Sequence, residues 1–149
     1  MSSVQAWLLN LGPFRIALAY NEVLEVLVEP ASWPLPIGPR WCREILAWRG
    51  RYVPLARLGL SGDAGFAVVA AISHPESPGA IEYVALRLKQ PPQLITVNAE
   101  DDCDLPAQVP LPVNHIMACF NHGEDVVVVP DLAALFKVSD PRKDPQAQQ

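Results

Sequence analysis

The chain has 149 residues, of which 50% are hydrophobic and 16 are proline, and its formal net charge is -5. This length is enough for one compact core or for two small lobes that share an interface. The acidic balance counts against a general affinity for polyanions, and no run approaches the ~20 apolar residues that span a bilayer. The first residues also lack the basic start and cleavage site of a signal peptide. We therefore expect a soluble, cytoplasmic protein without direct membrane insertion.

The beginning of the chain predicts short strands joined by turns. Apolar runs over residues 5–11 and 14–19, separated by Gly12 and Pro13, predict an opening hairpin. Four prolines lie between residues 30 and 39. Each proline removes a donor from a backbone ladder, so this segment is predicted to be a loop or a sheet edge.

The segment at 23–29 predicts a strand with one apolar face. Because side chains alternate along a strand, Leu24, Val26 and Val28 share one side, which we expect to point inward. Glu25 is then expected on the outside or at a seam.

Residues 43–48 and 51–55 predict a second hairpin, with Arg49 and Gly50 as its turn. Glycine suits this place because a tight hairpin needs a residue that accepts a positive φ. This hairpin is expected to lie beside the strand that carries Glu25. Arg49 and Glu25 are therefore predicted to form a charge-assisted contact that holds the two strands in register.

The second half of the chain continues the β pattern and ends in a helix. Short runs rich in β-branched residues predict strands at 66–72, 81–88, 94–97, 115–120 and 125–129. Residues 131–136 follow a proline and predict a short closing helix. Only 7% of the residues are aromatic, so the core must be built mainly from Val, Leu, Ile and Ala. An all-β fold follows.

The three cysteines, Cys42, Cys103 and Cys119, are odd in number and far apart, without CxxC spacing. They predict free thiols in a reducing compartment, with neither a disulfide framework nor a zinc site. Two interpretations of Cys42 stay open, a thiol whose pKa is lowered by Arg40 and Arg43 and a buried filler.

Catalytic signals are weak. None of the histidines has a second ligand at a metal-binding spacing, and no nucleophile or phosphate-binding motif occurs. The acidic run at 100–104 lacks the features of a calcium loop and predicts a solvated turn. The sequence therefore predicts no enzyme activity, no metal and no cofactor.

Five of the 11 basic residues are arginines between residues 40 and 57. Such clustering in an acidic chain indicates a docking face for a partner protein. With Trp41, Trp48 and Tyr52 as stacking platforms the same cluster would suit nucleic acid, but Glu29, Glu44 and the absence of lysine argue against it. A plainer interpretation, that strand arginines are simply exposed to solvent, covers the following residues: Arg15, Arg51 and Arg87.

The stretch from residue 23 to residue 58 resembles the CheW-like domain of bacterial chemotaxis adaptors. The resemblance is carried by Val23-Leu24-Glu25-Val26, Trp41-Cys42-Arg43 with Ile45, Trp48-Arg49-Gly50, and Val53-Pro54-Leu55 with Leu58. Residues 115–136 also resemble the end of the family's domain, where a hairpin leads to an aspartate and a short Leu-rich helix.

The resemblance implies a fold of two small, five-stranded, SH3-like β-barrel lobes with a short C-terminal helix. One domain at 1–138 would hold lobes at roughly 14–60 and 65–130, and 139–149 would be a disordered tail. It also implies a non-catalytic adaptor that joins the regulatory domain of a CheA-type histidine kinase to the cytoplasmic tips of chemoreceptors. The alternative is a small β-barrel module that binds a ligand or nucleic acid.

The resemblance carries partner-binding roles over to Val23, Glu25 and Arg49. Two departures from the family pattern add candidates, because Glu44 replaces a glycine and Arg57 replaces an aspartate. Trp41 joins them, because it contributes, with Trp33, Leu35 and Ile37, to a predicted apolar hot spot. These departures indicate a divergent member, which would suit a specialised array such as one that controls twitching motility.

Overall fold

The computed structural model describes residues 2–12, 14–37, 42–58, 65–73, 79–107, 109 and 111–136. These residues form eleven strands, one short α-helix and two 3-10 turns. The elements are β1 Ser3–Asn10, β2 Arg15–Ala19, β3 Val23–Val28, β4 Ser32–Pro34, β5 Glu44–Trp48, β6 Arg51–Ala56, β7 Phe66–Ser73, β8 Ile81–Leu88, β9 Gln93–Asn98, β10 Ile116–His122, β11 Asp125–Pro130 and α1 Leu132–Leu135. The predicted tail at 139–149 lies outside the described residues.

The strands form two curled sheets, each of which makes a half-barrel. The five-stranded sheet has the order β10-β11-β2-β1-β9, and the six-stranded sheet has the order β3-β7-β8-β6-β5-β4. The prediction of an all-β fold with two small barrel-like lobes and a short closing helix is confirmed. The sixth strand of the second sheet is β4, which lies at the edge, as the proline-rich segment allows.

The two sheets divide the strands differently from the predicted lobe ranges, 14–60 and 65–130. The hairpin of β1 and β2 lies in the same sheet as β10 and β11, through a parallel pairing of Val127 with Arg15 and Val128 with Ile16. The strands between residues 23 and 88 form the other sheet, in which a parallel pairing joins β6 to β8. The two ends of the described chain therefore build one lobe and its middle builds the other.

One core joins the two sheets. Leu9 and Ile16 of the five-stranded sheet and Val68 and Leu86 of the six-stranded sheet belong to one fully buried cluster. Each sheet also has a smaller apolar cluster of its own. The core residues are mainly aliphatic, as predicted.

The closing helix packs on this shared core. Leu132 and Leu135 are each 3% exposed, and the carboxylate of Asp131 accepts a hydrogen bond of 3.2 Å from the backbone N–H of Ala134. Aspartate is a favoured residue at a helix start because it satisfies a free backbone donor. Of the helices that the structure describes, none is long and apolar enough to cross a membrane.

Strand β3 presents the opposite face to the one predicted. Val23 and Leu27 are partly buried against the cores, whereas Leu24, Val26 and Val28 are 43%, 40% and 70% exposed. The prediction that the more apolar set points inward is therefore wrong. The alternation of side chains was predicted correctly, but the face that carries Val23, Glu25 and Leu27 is the one that meets the cores.

Candidate protein-interaction site

The turn between β5 and β6 holds Arg49 in an unusual backbone conformation. Trp48 pairs directly with Arg51, so the hairpin loop consists of Arg49 and Gly50 alone. Their φ angles are 48° and 77°. Two successive positive φ values are typical of a type I′ turn, which glycine accepts easily and arginine does not. The predicted glycine turn is confirmed, and it places a strained arginine at its first position.

The guanidinium of Arg49 is fixed by two neighbours. Its Nη2 donates to Oε1 of Glu25 at 2.8 Å, and its central carbon lies 5.0 Å from the ring centroid of Trp48. The predicted contact between Glu25 and Arg49 is confirmed. The Arg49 side chain nevertheless stays 69% exposed, compared with 35% for that of Glu25. The contact therefore orients a cation that remains available to another molecule.

This contact closes the sheet instead of joining neighbouring strands. β3 forms one edge of the six-stranded sheet, whereas β5 lies next to the opposite edge. The expectation that the hairpin lies beside β3 in register is wrong, because β7 and β8 lie between β3 and the hairpin of β5 and β6 in the strand order. The curl of the sheet brings the two ends together, and Glu25 and Arg49 meet at the seam.

A second ion pair lies at the other end of β5. Nε of Arg57 donates to Oε1 of Glu44 at 2.7 Å, and the hydroxyl of Ser32 donates to Oε2 at 3.1 Å. Nη2 of Arg87 lies 3.6 Å from the same carboxylate and 2.8 Å from the Ser32 oxygen. The two ends of a five-residue strand are about 16 Å apart, so this cluster and the Arg49 contact are separate features of the surface.

The network decides the charge state of Glu44. Burial opposes ionisation, but the hydrogen bonds and positive charges of Arg57, Ser32 and Arg87 outweigh it and lower the pKa of Glu44. The Glu44 side chain is 22% exposed. Its charge is therefore compensated within the chain. The two departures from the family pattern, Glu44 and Arg57, are thus the two halves of one interaction.

The interpretation of the strand arginines as solvent-exposed residues is wrong for Arg87. That residue is only 8% exposed, because its guanidinium is turned into the Glu44 cluster. Arg15 lies on the other sheet, where it forms an ion pair of 3.0 Å with Asp125 and keeps 37% of its side chain exposed. Arg51 is exposed as expected, with its guanidinium 4.6 Å from the ring of Tyr83.

Two exposed apolar surfaces lie on the six-stranded sheet, on the strand faces opposite to Glu25 and Glu44. Leu24, Val26 and Val28 form an exposed stripe on the edge strand β3. Trp33 of β4, 48% exposed, meets the ring of Tyr52, 73% exposed, in an edge-to-face contact with centroids 6.4 Å apart. Exposed aromatic pairs of this kind are typical of interaction surfaces.

Only part of the predicted apolar hot spot lies within the described residues. Ile37 is 80% exposed, and Leu35 is half-buried. Trp41 lies outside the described residues. Tyr52 belongs to this surface, although the sequence indicated it only as a stacking platform. Val23 is partly buried against the shared core, so its contribution to the surface is small.

The interpretation of Cys42 as a thiol with a lowered pKa is wrong. Cys42 is 9% exposed, and burial together with the negative charge of Glu44 raises the pKa of its thiol. The alternative, a buried filler, is confirmed. Within the described part of the chain, no three His, Cys, Asp or Glu side chains converge on a point where they could hold a metal ion.

The five-stranded sheet curls around an apolar cavity of about 660 Å³. The cavity is lined by residues of all five strands, among them Ala6, Ala17, Phe120 and Val129. Glu22 lies at its border, where the carboxylate accepts a hydrogen bond of 2.7 Å from the N–H of Ala19. Burial is the main cause that raises the pKa of Glu22. No motif in the sequence indicates this cavity, because its walls come from distant segments.

The architecture of this chain is similar to that of a solved protein structure. The chain is similar to the crystal structure of the scaffolding protein TtCheW from Thermoanaerobacter tengcongensis, with a TM-score of 0.73 and 14% sequence identity. The match covers 93% of this chain and 91% of that chain. No family model and no curated protein matches the sequence. The chain therefore has a CheW-like fold, and the resemblance predicted from residues 23–58 is confirmed at the level of the fold.

Proposed function

We propose that this protein is a non-catalytic adaptor that couples a CheA-type histidine kinase to the cytoplasmic tips of chemoreceptors. The CheW-like fold supports this proposal, since a similar solved structure is that of a scaffolding protein. The protein would act in the cytoplasm, at receptor arrays that control swimming or twitching.

The observation that carries the proposal is the exposed guanidinium of Arg49. Keeping arginine at a φ of 48° costs free energy on the order of 1 kcal/mol, which the folded state accepts only where other contacts determine the conformation. Glu25 and Trp48 provide those contacts and leave most of the side chain in solvent. A preoriented arginine beside exposed apolar residues is typical of a binding hot spot. We assign the kinase regulatory domain to this face.

The Glu44 cluster supports a retained receptor contact. A lone carboxylate would oppose a closely approaching helix, because its desolvation would be unfavourable. Arg57 and Arg87 compensate this charge within the chain. A receptor helix would thus meet an ion pair that is already formed.

The test measures binding of the purified chain to a kinase regulatory domain and to a receptor-tip fragment in separate titrations. Arg49→Glu should weaken kinase binding at least about tenfold, which corresponds to about 1.4 kcal/mol. Arg15→Glu is the matched control, because it reverses an exposed, ion-paired arginine on the other sheet. Unchanged kinase affinity in Arg49→Glu, or equal losses in both variants, would refute the assigned face.

The apolar cavity favours a second candidate function, the binding of a small apolar ligand by the five-stranded sheet. Cavities of this volume suit small organic molecules. A thermal-shift screen of apolar compounds would show a rise of the unfolding temperature for a true ligand. Ala17→Phe, which fills the cavity, should abolish that rise and leave kinase binding intact.

A further inference from the structure

The structure brings together two cysteines that are 16 residues apart in the chain. The Sγ atoms of Cys103 and Cys119 lie 3.3 Å apart, and neither residue is in a disulfide. The Cys119 thiol also donates to the backbone oxygen of Cys103 at 2.9 Å. The expectation that the thiols are scattered holds along the chain but is wrong in space. The adaptor function does not account for this pair.

The backbone holds the two residues opposite each other. Asp102 and Phe120 form an antiparallel bridge, and the N–H of Cys103 donates to the carbonyl of Cys119 at 3.3 Å. Residues that face each other in such a pair have Cα atoms about 5.5 Å apart. That separation lies inside the range that disulfides require. A disulfide needs the sulfur atoms to approach by only about 1.3 Å.

The pair lies at the seam of the five-stranded sheet. β9 and β10 are the two outer strands of that sheet, and Cys103 follows β9 while Cys119 belongs to β10. Apart from the Asp102 bridge, the register of the sheet does not pair these two strands within the described residues. Cys119 and Phe120 also line the apolar cavity. A disulfide here would link β10 to the segment that follows β9, where the described residues pair only through the Asp102 bridge.

We propose that Cys103 and Cys119 form a reversible intramolecular disulfide that closes the seam between β9 and β10. Cys103 is partly exposed and Cys119 is 3% exposed, so a small oxidant reaches Cys103 first. Burial raises the pKa of Cys119 to about 11, so Cys119 is a thiol in the reduced protein.

The oxidant is a low-molecular-weight disulfide, and the exchange balances. The Cys103 thiolate attacks one sulfur of the small disulfide, so that its S–S bond breaks and one small thiolate leaves. Cys119 then loses its proton to solvent and attacks Sγ of Cys103, which expels the second small thiolate. The two protein thiols are oxidised by two electrons in total, and the small disulfide is reduced to two small thiols.

The test uses the folded full chain and oxidised glutathione. After exposure, the protein is denatured, free thiols are alkylated with N-ethylmaleimide, and intact mass and non-reduced peptides are measured. The expected product has lost two hydrogen atoms, accepts one alkyl group at Cys42, and yields a peptide pair joined through Cys103 and Cys119. Its unfolding temperature should exceed that of the reduced chain, and dithiothreitol should reverse the shift.

Two results would overturn the proposal. One is a lasting glutathione adduct at Cys103 without an internal bond, and the other is a disulfide that includes Cys42 or a second chain. Cys103→Ser is the control, since it should show neither the internal bond nor the temperature shift. The peptide map of the oxidised chain without substitutions tests the proposed disulfide even if Cys103→Ser folds poorly.

Discussion

Arg49 combines an unfavourable backbone conformation with a positive charge that is held in one orientation. Arg49 adopts a φ of 48° and is fixed by one carboxylate and one indole ring. The ion pair itself contributes little to folding, because exposed pairs contribute on the order of 0.2–1 kcal/mol. Orientation of the guanidinium, not stability, is therefore the property that this arrangement maintains.

Substitution of Arg49 should separate stability from binding. Asparagine accepts a positive φ, so Arg49→Asn should change the free energy of unfolding by less than about 0.5 kcal/mol, as turn relief offsets the lost ion pair. Arg49→Val should destabilise by about 1–3 kcal/mol, because a β-branched residue is strained there. Urea denaturation measures both changes.

Both variants should lose affinity for the kinase regulatory domain, since both lack the guanidinium. If Arg49→Asn instead bound the kinase normally, the hot-spot assignment would be wrong. If Arg49→Val were as stable as the unmodified chain, the backbone strain would be absent.

Two glutamates should respond to pH in opposite directions. The folded-state pKa of Glu44 lies below its ordinary value of 4.5, so its ionised form stabilises the fold. This contribution is complete above the unfolded-state pKa and is lost as pH falls through the folded-state value. The folded-state pKa of Glu22 lies above 4.5, so stability declines as pH rises through that higher value.

Isosteric amides test these signs. At neutral pH, Glu44→Gln should cost roughly 1–3 kcal/mol, because Arg57 and Arg87 lose a charged acceptor. Glu22→Gln should be neutral or stabilising there, because it removes a desolvated charge and keeps an acceptor for Ala19. Unfolding temperatures from about pH 3 to about pH 7 measure both. If the unfolding temperatures of both variants changed with pH in the same way, the opposite pKa shifts assigned to Glu44 and Glu22 would be wrong.

At the scale of elements, β3 was correctly predicted as a strand, but the wrong face was predicted to be buried. Its inner side carries Val23, Glu25 and Leu27, and the ion pair with Arg49 removes the objection to a carboxylate there. The outer side is left apolar on an unpaired edge. Such an edge invites association with another strand.

Truncation to alanine should reveal which side of β3 is buried. Leu27 packs against the core of the six-stranded sheet, so Leu27→Ala should cost about 2 kcal/mol, allowing for its partial exposure. Val28 is 70% exposed, and Val28→Ala should cost less than about 0.5 kcal/mol. Chemical denaturation of both variants gives the comparison. If Val28→Ala lost more stability than Leu27→Ala, the apolar face of β3 would be the buried one.

Local pattern was sufficient to predict most of the strands, the Arg49-Gly50 turn and the closing helix, whereas the contact between Glu25 and Arg49 was predicted correctly from an adjacency of strands that the sheet does not have. The strands, the turn and the helix depend on alternation, turn chemistry and one motif, all of which act over short distances. The partition into sheets depends on parallel pairings such as Val128 with Ile16, which no local signal encodes. The Glu44 cluster, the cavity and the cysteine pair escaped prediction for the same reason, since each is assembled from distant segments.

For the whole molecule, the shared core predicts that the two lobes do not unfold separately. Leu9 and Leu86 are fully buried in one cluster although they belong to different sheets. Leu9→Ala and Leu86→Ala should each cost about 2–5 kcal/mol and lower the unfolding temperature, by roughly 2–4 °C for each kcal/mol.

Each substitution should destabilise both lobes equally, because the loss is felt by one cooperative unit. Trp7 reports on the five-stranded sheet and Trp48 on the six-stranded sheet, so variants that keep one of these two as the single tryptophan of the chain's four allow each lobe to be followed by fluorescence. Coincident transitions are expected for both reporters in the parent and in each leucine variant. Two midpoints, with Leu9→Ala shifting only the Trp7 transition, would mean that the lobes are independent. A cooperative transition would mean that the shared core holds the two sheets in one fixed arrangement.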